Sequence, residues 1–141
     1  MKNNESSFSI NITNPNLVMF VNGVNMRSLR SIFFIYRRYR AMKIAMKNST
    51  GCMKFYAVKE NYKHFIFVSW WENLEQLMGY YKNPLHKEMM SWLHTHRDEV
   101  DFWNEIYQPS RPGVYSGQPH AMAKLFEKIS LKERTKEIKN D

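Results

Sequence analysis

Two side chains in this 141-residue chain combine proton-transfer chemistry with apolar surroundings, His86 and Glu105. His86 is the better general base by intrinsic pKa, because imidazole changes charge near neutral pH. It follows Asn83-Pro84 and so stands in the first turn of a predicted helix, where a solvent-facing histidine is an equally consistent reading. Glu105 lies in DFWNEIYQ, where period-two alternation puts it on one face with Trp103 and Tyr107. Burial among those rings would raise its pKa toward that of a working base. A carboxylate paired with Arg or Lys at a dimer edge is the structural alternative. Trp71, Tyr81, Trp103 and Tyr107 are the large aromatics that suit a flat apolar ligand. Asn22 shares a strand face with Val18, Phe20 and Val24, either bonded to backbone or serving a ligand as a polar contact.

These residues need elements to position them. The stretch FIFVSWWENLEQLMGYYKNPLHKEMMSWL, residues 65–93, organises the chain. It begins as a strand with Phe65, Phe67, Ser69 and Trp71 on one face and Ile66, Val68 and Trp70 on the other; both faces are apolar, which predicts cover on both sides. The period then changes. Asn73 caps a helix in which Leu74, Leu77, Met78 and Tyr81 recur, and Asn83-Pro84 restarts it with Leu85, Met89, Trp92, Leu93 and His96. Upstream, residues 17–24 read as a strand, and a helix capped by Ser28 runs to about residue 47 with a stripe of Ile32, Ile35, Tyr39, Met42 and Met46. Phe33 and Phe34 fall off that stripe. Gly51 suits the turn into a strand over residues 52–59, which forms a hairpin with the strand beginning at His64. Residues 101–108 form a fourth strand, 109–119 a Pro- and Gly-punctuated loop, and 121–139 a helix with a solvated end.

The order strand, helix, strand, strand, helix, strand predicts an α+β, ferredoxin-like split βαβ fold: one antiparallel four-stranded sheet with helices on one face. The expected organisation is a flexible lead-in over 1–16, the domain over 17–120 and a helical tail over 121–141. Nothing large remains to cover the second sheet face, so a second copy of the sheet is expected there, making a homodimer.

Composition narrows the classes further. One cysteine, Cys52, leaves no internal disulfide framework or multi-cysteine zinc site and fits a reducing cytoplasm. No apolar run approaches a membrane span, and the polar first residues lack the apolar centre of a signal peptide. The net charge is +8, but its cations gather on one predicted helix and in the tail, where solvated faces account for them; neither nucleic acid nor membrane is expected as a partner. The aromatic and basic mixture FFIYRRYRAMK also suits a membrane interface, the alternative to a helix packed on one side and solvated on the other. His94 and His96 point apart on a helix, and no phosphate loop or serine-nucleophile motif is present.

An ordered set of residues resembles a known group. It consists of Trp70-Trp71-Glu72, then Leu74, Leu77 and Tyr81, then Asn83-Pro84 with His86 and Trp92, then residues 102–107 (FWNEIY), Gly113 and Tyr115. Over about residues 17–120 the chain is similar to the dimeric α+β-barrel superfamily of antibiotic-biosynthesis-monooxygenase-like proteins. It is most similar to the monooxygenase-like subgroup related to a fungal polyketide oxygenase. The resemblance implies a dimeric α+β barrel and a monooxygenase acting on an aromatic or polyketide-like molecule, without flavin or metal. In such relatives the substrate loses a proton and then supplies the electron to oxygen. His86 and Glu105 are then the candidate catalytic groups, and Asn22, Trp71, Tyr81, Trp103 and Tyr107 the substrate-binding set. Two other functions fit the same fold: a non-catalytic dimer holding an apolar ligand, and a haem protein with His86 as iron ligand. Two departures bear on the choice. Subgroup relatives often carry His where this chain has Asn104. The Asn, Trp and His of haem-degrading members fall near Asn22, Tyr80 and Met90.

Overall fold

Along residues 7–131, which the computed structural model describes, the elements run β1 (Phe8–Ile10), β2 (Val18–Met26), α1 (Leu29–Lys47), β3 (Cys52–Asn61), β4 (His64–Trp71), α2 (Leu74–Tyr81), α3 (Pro84–Thr95), β5 (Val100–Tyr107), a 3-10 turn (Ala121–Lys124) and β6 (Lys128–Ser130). The described residues form two units, one of residues 16–108 and one of residues 7–15 with 109–131.

The larger unit is the ferredoxin-like split βαβ arrangement. Its sheet order is β3-β4-β2-β5, with every neighbouring pair antiparallel. The helix starts carry the caps that the residue types require. Ser28 accepts from the Ser31 amide and Ser31 returns the bond, a reciprocal capping box. Asn73 and Asn83 accept from the amides of Gln76 and Leu85, each at 2.9 Å, and Pro84 opens α3 where no amide donor is needed. Gly51 takes a positive φ of 80°, which leads α1 into β3 without the cost that a Cβ would bring.

All three helices cover one sheet face. Ile35 of α1 and Met89 and Leu93 of α3 pack on Val24, Met26, Phe65, Phe67 and Val100. A second cluster joins Met46, Leu77 and Tyr80 to Val18, Phe20 and Trp71. Phe34 leaves the main stripe of α1 to stack on Trp92 at 3.9 Å, whereas Phe33 stays 67% exposed. The other sheet face is also apolar: Met19, Val21, Ile66 and Val68 are half-buried, and Val58, Trp103 and Tyr107 are exposed. Among the described residues no helix is long and apolar enough to cross a membrane.

The smaller unit differs from the expected lead-in and helical tail. Residues 8–10 are buried as β1 and pair antiparallel with β6, Ser9 opposite Ile129. The expected helix from residue 121 is only a four-residue 3-10 turn before that strand; its further extent lies outside the described residues. The spacing of Met122, Leu125, Phe126 and Ile129 is helical, but it cannot reveal that β1 offers a backbone partner, and tertiary pairing overrides local preference. Phe8 also stacks on Tyr115 and exchanges backbone hydrogen bonds with it.

Candidate functional site

Strand register builds the site. β2 places Asn22 opposite Asn104, Phe20 opposite Ile106 and Val24 opposite Phe102. Directly opposed residues point to the same side, so these six side chains face the helices together. A cavity of about 460 Å³ opens between them and the α2–α3 corner, bordered there by Tyr81, His86, Lys87, Met90 and Leu93. That volume lies in the range of small-molecule sites, roughly 300–1,000 Å³, which are mostly apolar with a few polar groups.

Asn83-Pro84 is what turns His86 into the cavity. The restart of the helix after Lys82 sets the first turn of α3 against the end of α2. The imidazole stacks on Tyr81, centroids 4.9 Å apart and planes 21° apart, and meets Tyr80 edge-on at 5.0 Å. Burial there lowers the His86 pKa from 6.5, while its hydrogen bond to the backbone of Tyr81 pulls the other way. Burial raises the Tyr81 pKa and pushes that of Tyr80 up to about 12, so both phenols are neutral around a neutral imidazole near pH 7. Tyr81 also meets Phe20 edge-on at 5.7 Å, and both rings border the cavity.

Asn22 supplies the polar counterpart. Its Oδ1 is buried and has no hydrogen-bond partner among the described residues. An unsatisfied buried acceptor costs about 1–3 kcal/mol, which a ligand hydroxyl or N–H donor would relieve. Asn104 stands beside it across the strand pair.

Of the residues singled out in the sequence, the cavity gathers His86, Asn22 and Tyr81, whereas Trp103 meets its border only from the strand, because the register opposite Gly23 turns the indole to the sheet face away from the helices. Trp71 is elsewhere: it is 0% exposed in the second core cluster, and its indole N–H donates to Ser69 Oγ at 2.9 Å. Glu105 and Tyr107 lie on the sheet face away from the helices, where the Tyr107 hydroxyl donates to the Glu105 carboxylate and both side chains are exposed. That bond raises the Tyr107 pKa, so the pair is a surface hydrogen bond rather than a buried base among rings. Phe20, Lys87, Met90, Asn104 and Ile106 join the cavity instead. Alternation had put Phe102, Asn104 and Ile106 on one face, but which face met the helices required the register with β2.

The Trp103 ring lies over Gly23 on the sheet face away from the helices. A Cβ at Gly23 would come within 2.5 Å of the indole, too close for any real contact. Gly23→Ala should therefore displace Trp103 and lower stability by about 1–3 kcal/mol, the usual cost of overpacking. Thermal melting measures this; an unchanged midpoint would mean that the ring swings clear freely.

The positions compared with haem-degrading proteins separate here. Asn22 and Met90 border the cavity, whereas Tyr80 belongs to the core cluster. Among the described residues no cluster of three or more His, Cys, Asp or Glu side chains is placed to hold a metal ion.

Comparison with known proteins accords with this architecture. Residues 17–121 match the family model described as monooxygenase af470-like. No curated protein matches the chain. Among solved structures, the fold is similar to SnoaB, a cofactor-independent oxygenase from Streptomyces nogalater, at 10% identity and a TM-score of 0.54, covering 68% of this chain and 95% of that one. A protein of Deinococcus radiodurans assigned to the antibiotic biosynthesis monooxygenases is 16% identical, with a TM-score of 0.56 over 66% of this chain and 93% of that one. A conserved protein from Methanosarcina mazei Go1 is 15% identical, with a TM-score of 0.56 over 69% and 97% of the two chains. At these identities the likeness is one of fold.

Proposed function

The chain belongs to the monooxygenase af470-like family, and we propose that it is a cytoplasmic, cofactor-independent monooxygenase for a flat, electron-rich aromatic of the phenol or anthrone type. The observation that carries this reading is the half-buried, uncharged His86 beside the unpartnered Asn22 Oδ1 in one largely apolar cavity. Phe20, Tyr81 and Met90 hold the ring system. Asn22 accepts a hydrogen bond from a substrate hydroxyl and so fixes its orientation. His86 takes the proton from the activated ring carbon, and the Asn22 and Asn104 amides donate to the oxyanion that forms.

Electron transfer from that carbanion to O2 needs no further reductant. For an anthrone, the ring CH2 loses both hydrogens, one atom of O2 becomes the new carbonyl oxygen, and the other leaves as water. Two electrons for each oxygen atom therefore come from the substrate itself. SnoaB, which shares the fold, is a cofactor-independent oxygenase, and this chain's own residues suit the same economy of parts.

Oxygen uptake by the purified protein with a panel of anthrones and naphthols tests the proposal. Uptake coupled to quinone formation, without added flavin, metal or haem, is expected. Ligand binding without uptake would favour a non-catalytic carrier, and a strong Soret band on adding haem would favour the haem-binding alternative.

Assembly belongs to the same reading. The sheet face bearing Val21, Ile66, Val68, Trp103 and Tyr107 is too apolar to stay in water, and a two-fold copy of itself is a matched cover. Light scattering at micromolar concentration should give twice the chain mass. A single-mass particle would rule out the barrel-forming dimer while leaving the cavity chemistry open.

A further inference from the structure

We propose that the outer face of α1 docks on an anionic lipid bilayer. The helix carries Arg30, Arg37, Arg38, Arg40, Lys43 and Lys47 and no acidic residue. Arg30 is paired with Glu99 at 3.0 Å, and Arg38 with Glu88. Among the described residues no carboxylate pairs with Arg37, Arg40, Lys43 or Lys47.

Apolar side chains are exposed on the same face. Leu29 is 86% exposed, Phe33 67% and Ile44 51%. Their spacing, with Arg37 and Arg40 between them, places them on successive turns of one side of the helix. A shallow groove of about 370 Å³ runs beside them, lined by Tyr39, Ile44 and Phe55 with Arg40, Lys43 and Lys47 at its rim. The sequence alone accounted for this helix with one solvated face, because nothing in it measures how far Phe33 stands from the core.

A bilayer surface satisfies both halves of this pattern. Its anionic headgroups take the unpaired cations, and its acyl boundary takes leucine, phenylalanine and isoleucine side chains. A nucleic acid would satisfy the cations but leave the three apolar side chains in water. The face also lies opposite the sheet surface assigned above to the dimer, so both functions can coexist.

Sedimentation of the full chain with vesicles of phosphatidylcholine, or of phosphatidylcholine mixed with phosphatidylserine, tests the assignment. Binding is expected only to the mixed vesicles and should weaken at high salt. The double variant Arg40→Glu/Lys43→Glu should lose at least tenfold in affinity, since each cation near such a surface is worth about fivefold. The double variant Leu29→Ser/Phe33→Ser should lose several-fold with the same salt dependence. All four positions are exposed, and melting curves check that the variants stay folded. Absence of binding to the mixed vesicles, equal binding to neutral ones, or indifference to Leu29→Ser/Phe33→Ser would overturn the proposal. Duplex DNA binding that needs Arg40 and Lys43 but not Phe33, in the absence of vesicle binding, would make the face a nucleic-acid surface instead.

Discussion

Replacing Trp71 by alanine should remove about 3–5 kcal/mol of folding stability, the range for deleting a large buried aromatic. The side chain is fully enclosed at the end of β4, 5.5 Å from the Tyr80 ring and within the cluster formed by Leu77, Met46 and Phe20. Truncation would leave a cavity and strip Ser69 Oγ of the indole donor, although Ser69 keeps its own 3.4 Å bond to the Phe20 carbonyl. Urea denaturation measures the loss. Trp71→Phe should fall well short of it, because most of the volume stays, and should leave substrate binding unchanged. A loss under about 1 kcal/mol for the alanine variant, or a binding defect in Trp71→Phe, would return this residue to the ligand site where its aromatic character alone had put it.

His86→Ala should reduce turnover by about 10²- to 10⁴-fold, the usual contribution of a positioned general base, while binding changes little. An equal loss in both would assign His86 to binding alone. The pH profile gives an independent check. The working form is neutral imidazole, and burial between Tyr80 and Tyr81 holds its pKa below 6.5. The acid limb of kcat/KM should therefore fall below pH 6.5 and disappear from the residual activity of the variant. Stability follows the same sign. The folded state binds this proton less readily than the unfolded chain, so the contribution is complete above pH 6.5 and is lost as pH falls through the folded value. Burial keeps the two tyrosines uncharged there, so of these three rings imidazole is the one that titrates near neutral pH. A His86→Gln protein with an unchanged acid limb would remove imidazole from the mechanism.

Local chemistry by itself determined the elements of the larger unit and their order. Period-two runs at Val18–Met26 and His64–Trp71, helical spacing in α1, and the caps at Ser28, Asn73 and Asn83 act over a few neighbouring residues, so a single chain displays them. The split βαβ order then leaves few topologies, and the sheet order β3-β4-β2-β5 is the one it implies. Alternation in β5 likewise showed that Trp103 and Asn104 point to opposite sides. Only tertiary structure decided which side met the helices, because pairing of Asn22 with Asn104 is a long-range choice and a one-residue shift would have exchanged the two faces. That choice turned Trp103, Glu105 and Tyr107 to the far face and brought Asn104 into the cavity. It was also packing that separated residues of similar type: Trp71 beneath Leu77 and Tyr80 is core, while Tyr81, one residue beyond Tyr80, reaches the cavity. Burial depth and strand pairing depend on atoms distant in the chain, which is why the aromatic and basic residues were visible in the sequence while their division between core, site and surface was not.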